Sequence, residues 1–195
     1  MAFKRVIRFL KKLKPYNIQK GFRYLKHFGP KEFLVRLSER MEPEEVPYGP
    51  WYEEHRAKPE ELERQRKHAR ETWEQRCVFS IAVPVFRTPE KFLCEMIDSV
   101  RNQSFPFWEL CIANADPSDA SVAQVLERYC REDDRIRVRD LQENKGISEN
   151  TNAALEMAKG EFVGLLDHDD LLAPDALYQM AIRLEQDPAI DVFYT

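Results

Sequence analysis

Residues 77–195 predict an α/β fold with a mostly parallel sheet and helices on both faces. Short apolar runs alternate with amphipathic stretches from Val78 onward, the order of βαβ units. Gly, Pro, Asn and Asp bound the runs, and these residues punctuate turns. Four of the runs exit into polar segments, and parallel sheets collect ligands beyond the carboxyl ends of their strands.

Taken in order, Val78–Phe86 is an apolar, β-rich run. Thr88-Pro89-Glu90 then reads as an N-cap followed by Pro at the first helical position. The helix it opens carries Phe92, Leu93, Met96, Ile97 and Val100 on one face. Trp108–Ala113 is a second strand, Ala120–Cys130 a helix and Ile136–Leu141 a third strand. Ile147–Lys159 reads as a helix closed by Gly160, a common C-cap residue. Phe162–Leu166 is the fourth strand, Pro174–Gln186 a helix and Ile190–Tyr194 a final strand.

The first 76 residues differ in kind. Residues 1–40 hold twelve Lys and Arg against two Asp and Glu, whereas residues 77–195 hold eleven against twenty-two. A basic arm therefore precedes an acidic body, and the overall charge of -4 conceals it. Within the arm, Phe3, Val6, Ile7, Leu10 and Leu13 form one helical stripe, with Lys and Arg around the other face. Such a helix suits a membrane interface, or packing on the protein itself. No nucleic-acid module accompanies the charge, so no nucleic-acid partner is expected. Pro15, Gly21, Gly29-Pro30 and Gly49-Pro50 are expected to break the arm into short pieces. Pro59 to Arg76 reads as a charged, solvated helical connector.

The four cysteines, Cys77, Cys94, Cys111 and Cys130, are widely spaced and suggest neither a zinc site nor a disulfide framework. No apolar run reaches the ~18 residues of a membrane-spanning helix, and no secretory leader is evident. The cytoplasm is the expected compartment, with peripheral contact at the inner face of the membrane through residues 1–40.

Glu161-Phe-Val-Gly-Leu-Leu-Asp-His-Asp-Asp170 carries the strongest chemical signal. Asp167, Asp169 and Asp170 crowd the exit of a short buried strand. Carboxylates so placed repel one another unless a cation or donors compensate them. A hard divalent ion bound to a phosphate would do so, because it takes one or two carboxylates plus phosphate oxygens. The other exits are Pro84, Val85 and Phe86 with Arg87; Asn114 and Asp116; and Asn144 to Ser148. Gly146 would let the backbone approach a ligand, and Ser148 could cap the following helix.

Five segments in order resemble family 2 glycosyltransferases, which have the Rossmann-like GT-A fold. They are Ser80-Ile-Ala-Val-Pro-Val-Phe-Arg-Thr-Pro89, Ser99-Val-Arg-Asn-Gln-Ser104, Trp108-Glu-Leu-Cys-Ile-Ala113, Asn144-Lys-Gly-Ile-Ser148 and Leu166-Asp-His-Asp-Asp-Leu171. The resemblance implies that Asp167-His168-Asp169 is the DXD motif, which holds the ribose and the Mn²⁺ or Mg²⁺ of a nucleotide-diphosphate sugar. Asp169 would be the direct ligand and Asp167 would assist, with His168 as the variable middle residue. Pro84, Val85 and Phe86 would line the nucleotide, and Asn144 and Gly146 would lie beside it.

Two departures stand out. Arg87 occupies a position where Asn is usual, and Asn114-Ala115 replaces an Asp pair whose member reads uracil, with Asp116 next. In inverting members the catalytic base lies in an acceptor half that would follow Asp191-Val-Phe-Tyr-Thr195. The resemblance thus implies a nucleotide-sugar-binding portion over 77–195, truncated at its C-terminus, with the catalytic base unassigned. Transfer to a cell-surface glycan or lipid-linked acceptor is the expected activity. The alternative is a non-catalytic nucleotide-sugar or glycan-binding module.

Overall fold

A computed structural model describes residues 15–39, 47–73 and 78–193. The amphipathic stretch over 3–14, residues 74–76 of the charged helix and Tyr194 of the expected last strand lie outside the described residues. Two compact units divide the chain at His55 and Arg56.

The first unit contains helices α1 (Pro15–Glu39) and α2 (Tyr48–His55). Gly21 does not interrupt α1; the break falls at Gly29, whose φ of 83° and ψ of 169° are non-helical. Pro30 explains it, because the residue before a proline is driven out of the α region. Gly29 tolerates the positive φ that results.

In the second unit α3 (Pro59–Thr72) is followed by β1 (Phe79–Val85), α4 (Glu90–Arg101), β2 (Trp108–Asn114) and α5 (Ala120–Glu132). Then come β3 (Ile136–Asp140), α6 (Ile147–Leu155), β4 (Phe162–Leu165) and α7 (Ala176–Gln186). The four strands form one parallel sheet in the order β3-β2-β1-β4. Helix α3 is no free connector: Ala69 is fully buried in the core, and Gln65 Oε1 accepts the Ser104 hydroxyl at 2.6 Å.

The period-2 alternation of each strand sends unlike residues to the two faces. Phe79, Ile81, Val83 and Val85 join Trp108, Leu110, Ile112 and Ile136 in the main core with residues of α3, α4, α5 and α7. Gly164 belongs to this layer, since a Cβ there would stand 2.9 Å from the Ile81 side chain. The opposite face is lined by Ala82 and Ala113, small enough for Ala154 of α6 to pack against them. Helices do cover both faces; among the described residues of this unit α6 alone covers the second, and Val163 and Leu165 of β4 are exposed there.

Below α6 that face becomes polar. Glu109 accepts the Ser80 hydroxyl at 2.6 Å, the Lys159 backbone N–H at 2.5 Å and the Arg137 guanidinium at 2.5 Å. Gly160 N–H donates to Ser80 Oγ at 2.8 Å, and Arg137 also donates to the Met157 carbonyl. This network explains why α6 ends at Leu155 rather than Lys159. The backbone groups that would continue the helix serve the sheet instead, so Gly160 is not a C-cap. Its role is close approach: a Cβ there would lie 2.8 Å from Ser80 N.

The expected last strand is absent among the described residues, since 190–193 pair with no neighbour. Phe193 instead packs its ring 5.9 Å from that of Phe162. Thr88 does not cap α4; Pro89 holds the N-cap position without a side-chain bond. Nor does Ser148 cap α6, whose N-cap is Gly146 with φ 91°.

Candidate functional site

The sheet order creates one switch point. From β1 the chain winds outward to β2 and β3, then returns to the other side of β1 as β4. The crevice between diverging connections, at the strands' carboxyl ends, is where open α/β sheets bind ligands. A cavity of about 290 Å³ lies there, lined by Ala82, Pro84, Ile147, Thr151, Leu165, Leu166, Asp167 and Asp170.

Strand β4 places the acidic turn. Leu166 N–H donates to the Ala82 carbonyl at 3.2 Å, the last rung before the chain leaves the sheet. Asp170 N–H then closes on the Asp167 carbonyl at 3.2 Å. The side chains of Asp167, Asp169 and Asp170 are exposed. His168 Nδ1 lies 3.9 Å from Asp169 Oδ1 and is itself buried without a hydrogen-bond partner among the described residues. No group of three or more His, Cys, Asp or Glu converges on one point among the described residues. The donor set still fits a magnesium-like ion. Such an ion is held by one or two carboxylates together with substrate phosphates and water, without an all-protein cage.

Strands β1 and β2 present the other rim. Pro84 borders the cavity, Val85 is fully buried in the core, and Phe86 is half-buried at the exit. Of the expected nucleotide-lining segment, Val85 therefore supports from beneath. Asn114 is 1% exposed. Its amide nitrogen donates to Asp140 Oδ1 at 2.8 Å, and its amide oxygen accepts Asp116 N–H at 3.2 Å. The side chain thus ties the exits of β2 and β3 together. Asp116 sits at the rim, taking the Ser118 hydroxyl on Oδ1 at 2.6 Å. Arg87 Nε stands 3.7 Å from Asp116 Oδ2.

After β3, Asn144 Oδ1 accepts both Gly146 N–H and the Asn150 amide at 2.9 Å. Asn144 shapes the loop, and Gly146 supplies the left-handed backbone that starts α6. Ile147 and Thr151 of that helix, which sequence reasoning did not single out, form one wall of the cavity. Neither carries a chemical signature, and only the packing of α6 brings them there. The Arg87–Asp116 and Asn114–Asp140 pairs were equally invisible, because each joins the ends of different strands.

This is a GT-A glycosyltransferase fold with a carboxylate-rich switch point. The chain belongs to glycosyl transferase family 2, whose sequence model matches residues 80–195. It is 42% identical over 118 residues to "Uncharacterized protein y4gI" of Sinorhizobium fredii, covering 60% of this chain and 13% of that one. It also resembles TarS 1–349 of S. aureus, solved with UDP-GlcNAc, at 30% identity and TM-score 0.51. That match covers 56% of this chain and 31% of the TarS chain. The mannosyltransferase PcManGT of Pyrobaculum calidifontis, solved with GDP-Man and Mn²⁺, shares the fold at 21% identity and TM-score 0.51. That match covers 66% of this chain and 40% of the other. The chain therefore spans well under two thirds of each of these proteins.

Proposed function

We propose that residues 77–195 bind a nucleoside-diphosphate sugar with Mn²⁺ or Mg²⁺ at the β1/β4 switch point and serve its transfer to a glycan or lipid-linked acceptor. The observation that carries this reading is the exposed acidic turn over 167–170, of which Asp167 and Asp170 line the cavity between β1 and β4 while Asp169 stands exposed between them. The similarity to TarS, a UDP-GlcNAc-binding protein, supports the donor class.

Asp169 would hold the ion, with Asp167 assisting or meeting the ribose. When bound, the ion would neutralise the diphosphate and stabilise it as a leaving group. Phe86 and Asp116 would border the nucleoside, and Asn114 would hold Asp116 in position from below. Asn144 and Gly146 would shape the far wall. Proton removal from the acceptor hydroxyl needs a general base, and none is assigned in this chain. Calorimetric titration with UDP and GDP tests the reading: binding should require added Mn²⁺ or Mg²⁺. Failure of both nucleotides to bind in the presence of either ion would sink it.

Peripheral contact with an anionic membrane is part of the same proposal. In α1, Phe22 and Phe28 are exposed alongside Lys20, Arg23, Lys26 and Lys31. Exposed aromatic and basic side chains together suit a headgroup boundary. No helix among the described residues is long and apolar enough to cross a membrane. Each basic residue near an anionic surface contributes about 1 kcal/mol. A Lys20→Glu, Arg23→Glu, Lys26→Glu triple variant should therefore lose about a hundredfold or more in affinity for phosphatidylserine vesicles. Retention of full vesicle binding would remove α1 from that role.

A further inference from the structure

Arg87 is the one non-glycine residue with positive φ, 51°, among the described residues. Left-handed backbone costs an ordinary L-residue about 1 kcal/mol or more, and such strain gathers at ligand clamps and active sites. Its side chain is 76% exposed, so no burial rewards the strained conformation. The guanidinium lies over the Phe86 ring, 4.9 Å from its centroid. At 3.7 Å the approach of Nε to Asp116 is an ion pair rather than a hydrogen bond. The guanidinium makes no hydrogen bond to any described residue, so its five N–H donors remain available.

Asn114 sharpens the point. It stands where a base-reading group was expected, yet it is buried, and Asp140 and Asp116 occupy its amide. The charged groups that meet across the β1 and β2 exits are Asp116 and Arg87, with the exposed Ser118 hydroxyl already donated to Asp116. The sheet order places this pair on the β2 side of β1, across that strand from the acidic turn on β4. A diphosphate compensated by a divalent ion belongs on the β4 side. Beside Arg87, the Asp116 carboxylate would repel phosphate and accept from a nitrogen-bound hydrogen.

We propose that Arg87 is a nucleoside-contacting residue that, paired with Asp116 and seated on Phe86, determines which nucleotide the site accepts. The pair offers a donor next to an acceptor. That matches a base edge carrying C=O beside N–H, as in uracil and guanine. This inference rests on the nucleotide-sugar reading of the site.

The test uses Arg87→Gly, which removes both guanidinium and strain, and Arg87→Asn, whose side chain tolerates left-handed backbone. Thermal unfolding is compared with calorimetric titration of UDP, UMP, GDP and GMP in the presence of Mn²⁺. Arg87→Gly should melt at the wild-type temperature or above it. Both variants should lose about tenfold in affinity for the preferred nucleotide, the loss of one charged hydrogen bond. The loss should be equal for the diphosphate and the monophosphate. Unchanged affinity, or a loss confined to the diphosphate, would overturn the assignment while leaving the proposed function standing. A wild-type protein that binds none of the four nucleotides would overturn both.

Discussion

Asp169→Asn should lower the affinity for a nucleoside diphosphate in Mn²⁺ by about a hundredfold, equivalent to about 2.7 kcal/mol. The amide keeps the shape of the carboxylate but loses the charge that a hard cation requires. Asp169 is 60% exposed, and within 4 Å its carboxylate meets only the His168 ring among the basic side chains of the described residues, at 3.9 Å. The substitution should therefore leave the fold intact, and unfolding curves of variant and wild type should superimpose. Asp167→Asn should weaken binding less, because Asp167 is assigned an assisting position. Calorimetry with UDP and GDP at fixed Mn²⁺ measures both effects. Equal affinities for wild type and Asp169→Asn would remove Asp169 from the metal role.

Glu109→Ala should destabilise the second unit by about 3 kcal/mol, the lower end for breaking a buried ion pair. The lower end applies because the Arg137 side chain remains 30% exposed. Loss of the carboxylate would leave the Ser80 hydroxyl without its acceptor. It would also take one partner each from the Lys159 N–H, which keeps Ser80 Oγ at 3.2 Å, and from the guanidinium, which keeps the Met157 carbonyl. Burial by itself would raise the Glu109 carboxyl. The Ser80 hydroxyl, the Lys159 N–H and Arg137 outweigh it and hold the group below its ordinary value. Because the folded pKa is depressed, this contribution is fully present above the unfolded value near 4.5 and is lost as pH falls through the folded one. Urea titrations at pH 7 and below pH 4 should show the variant's deficit shrinking with acid. A deficit that stays constant across that range would exclude Glu109 as the titrating group.

The same network shows where sequence reasoning met its limit. Helical periodicity continues past Leu155, and Gly160 has the composition of a cap, so a helix to Lys159 was the natural local reading. Two strands and an arginine from a third claim those backbone groups, and no local pattern records that competition. The last strand failed for a related reason. Ile190 to Phe193 have strand-like residues, but a strand exists only when a neighbour completes its ladder, and the apolar side chain of Phe193 was satisfied by Phe162 instead.

The acidic turn of Asp167, Asp169 and Asp170 was legible as a cluster because like charges at one strand exit demand compensation wherever the strand goes; that Asp167 and Asp170 line the cavity was not. Asn114 was harder, since an amide reads equally well as a ligand contact or as a strut. Its register opposite Asp140 decides that it is engaged as a strut.

The alternation of apolar runs and amphipathic stretches already determined the parallel α/β class, the rim of polar exits and the acidic turn. These follow from periodicity, turn chemistry and charge, all of which act between near neighbours. Tertiary structure alone decided that β4 returns beside β1 to open the switch point, that Ile147 and Thr151 wall the cavity, and that Arg87 meets Asp116. Those relations join residues far apart in sequence, and they arise only when strand order and register are set.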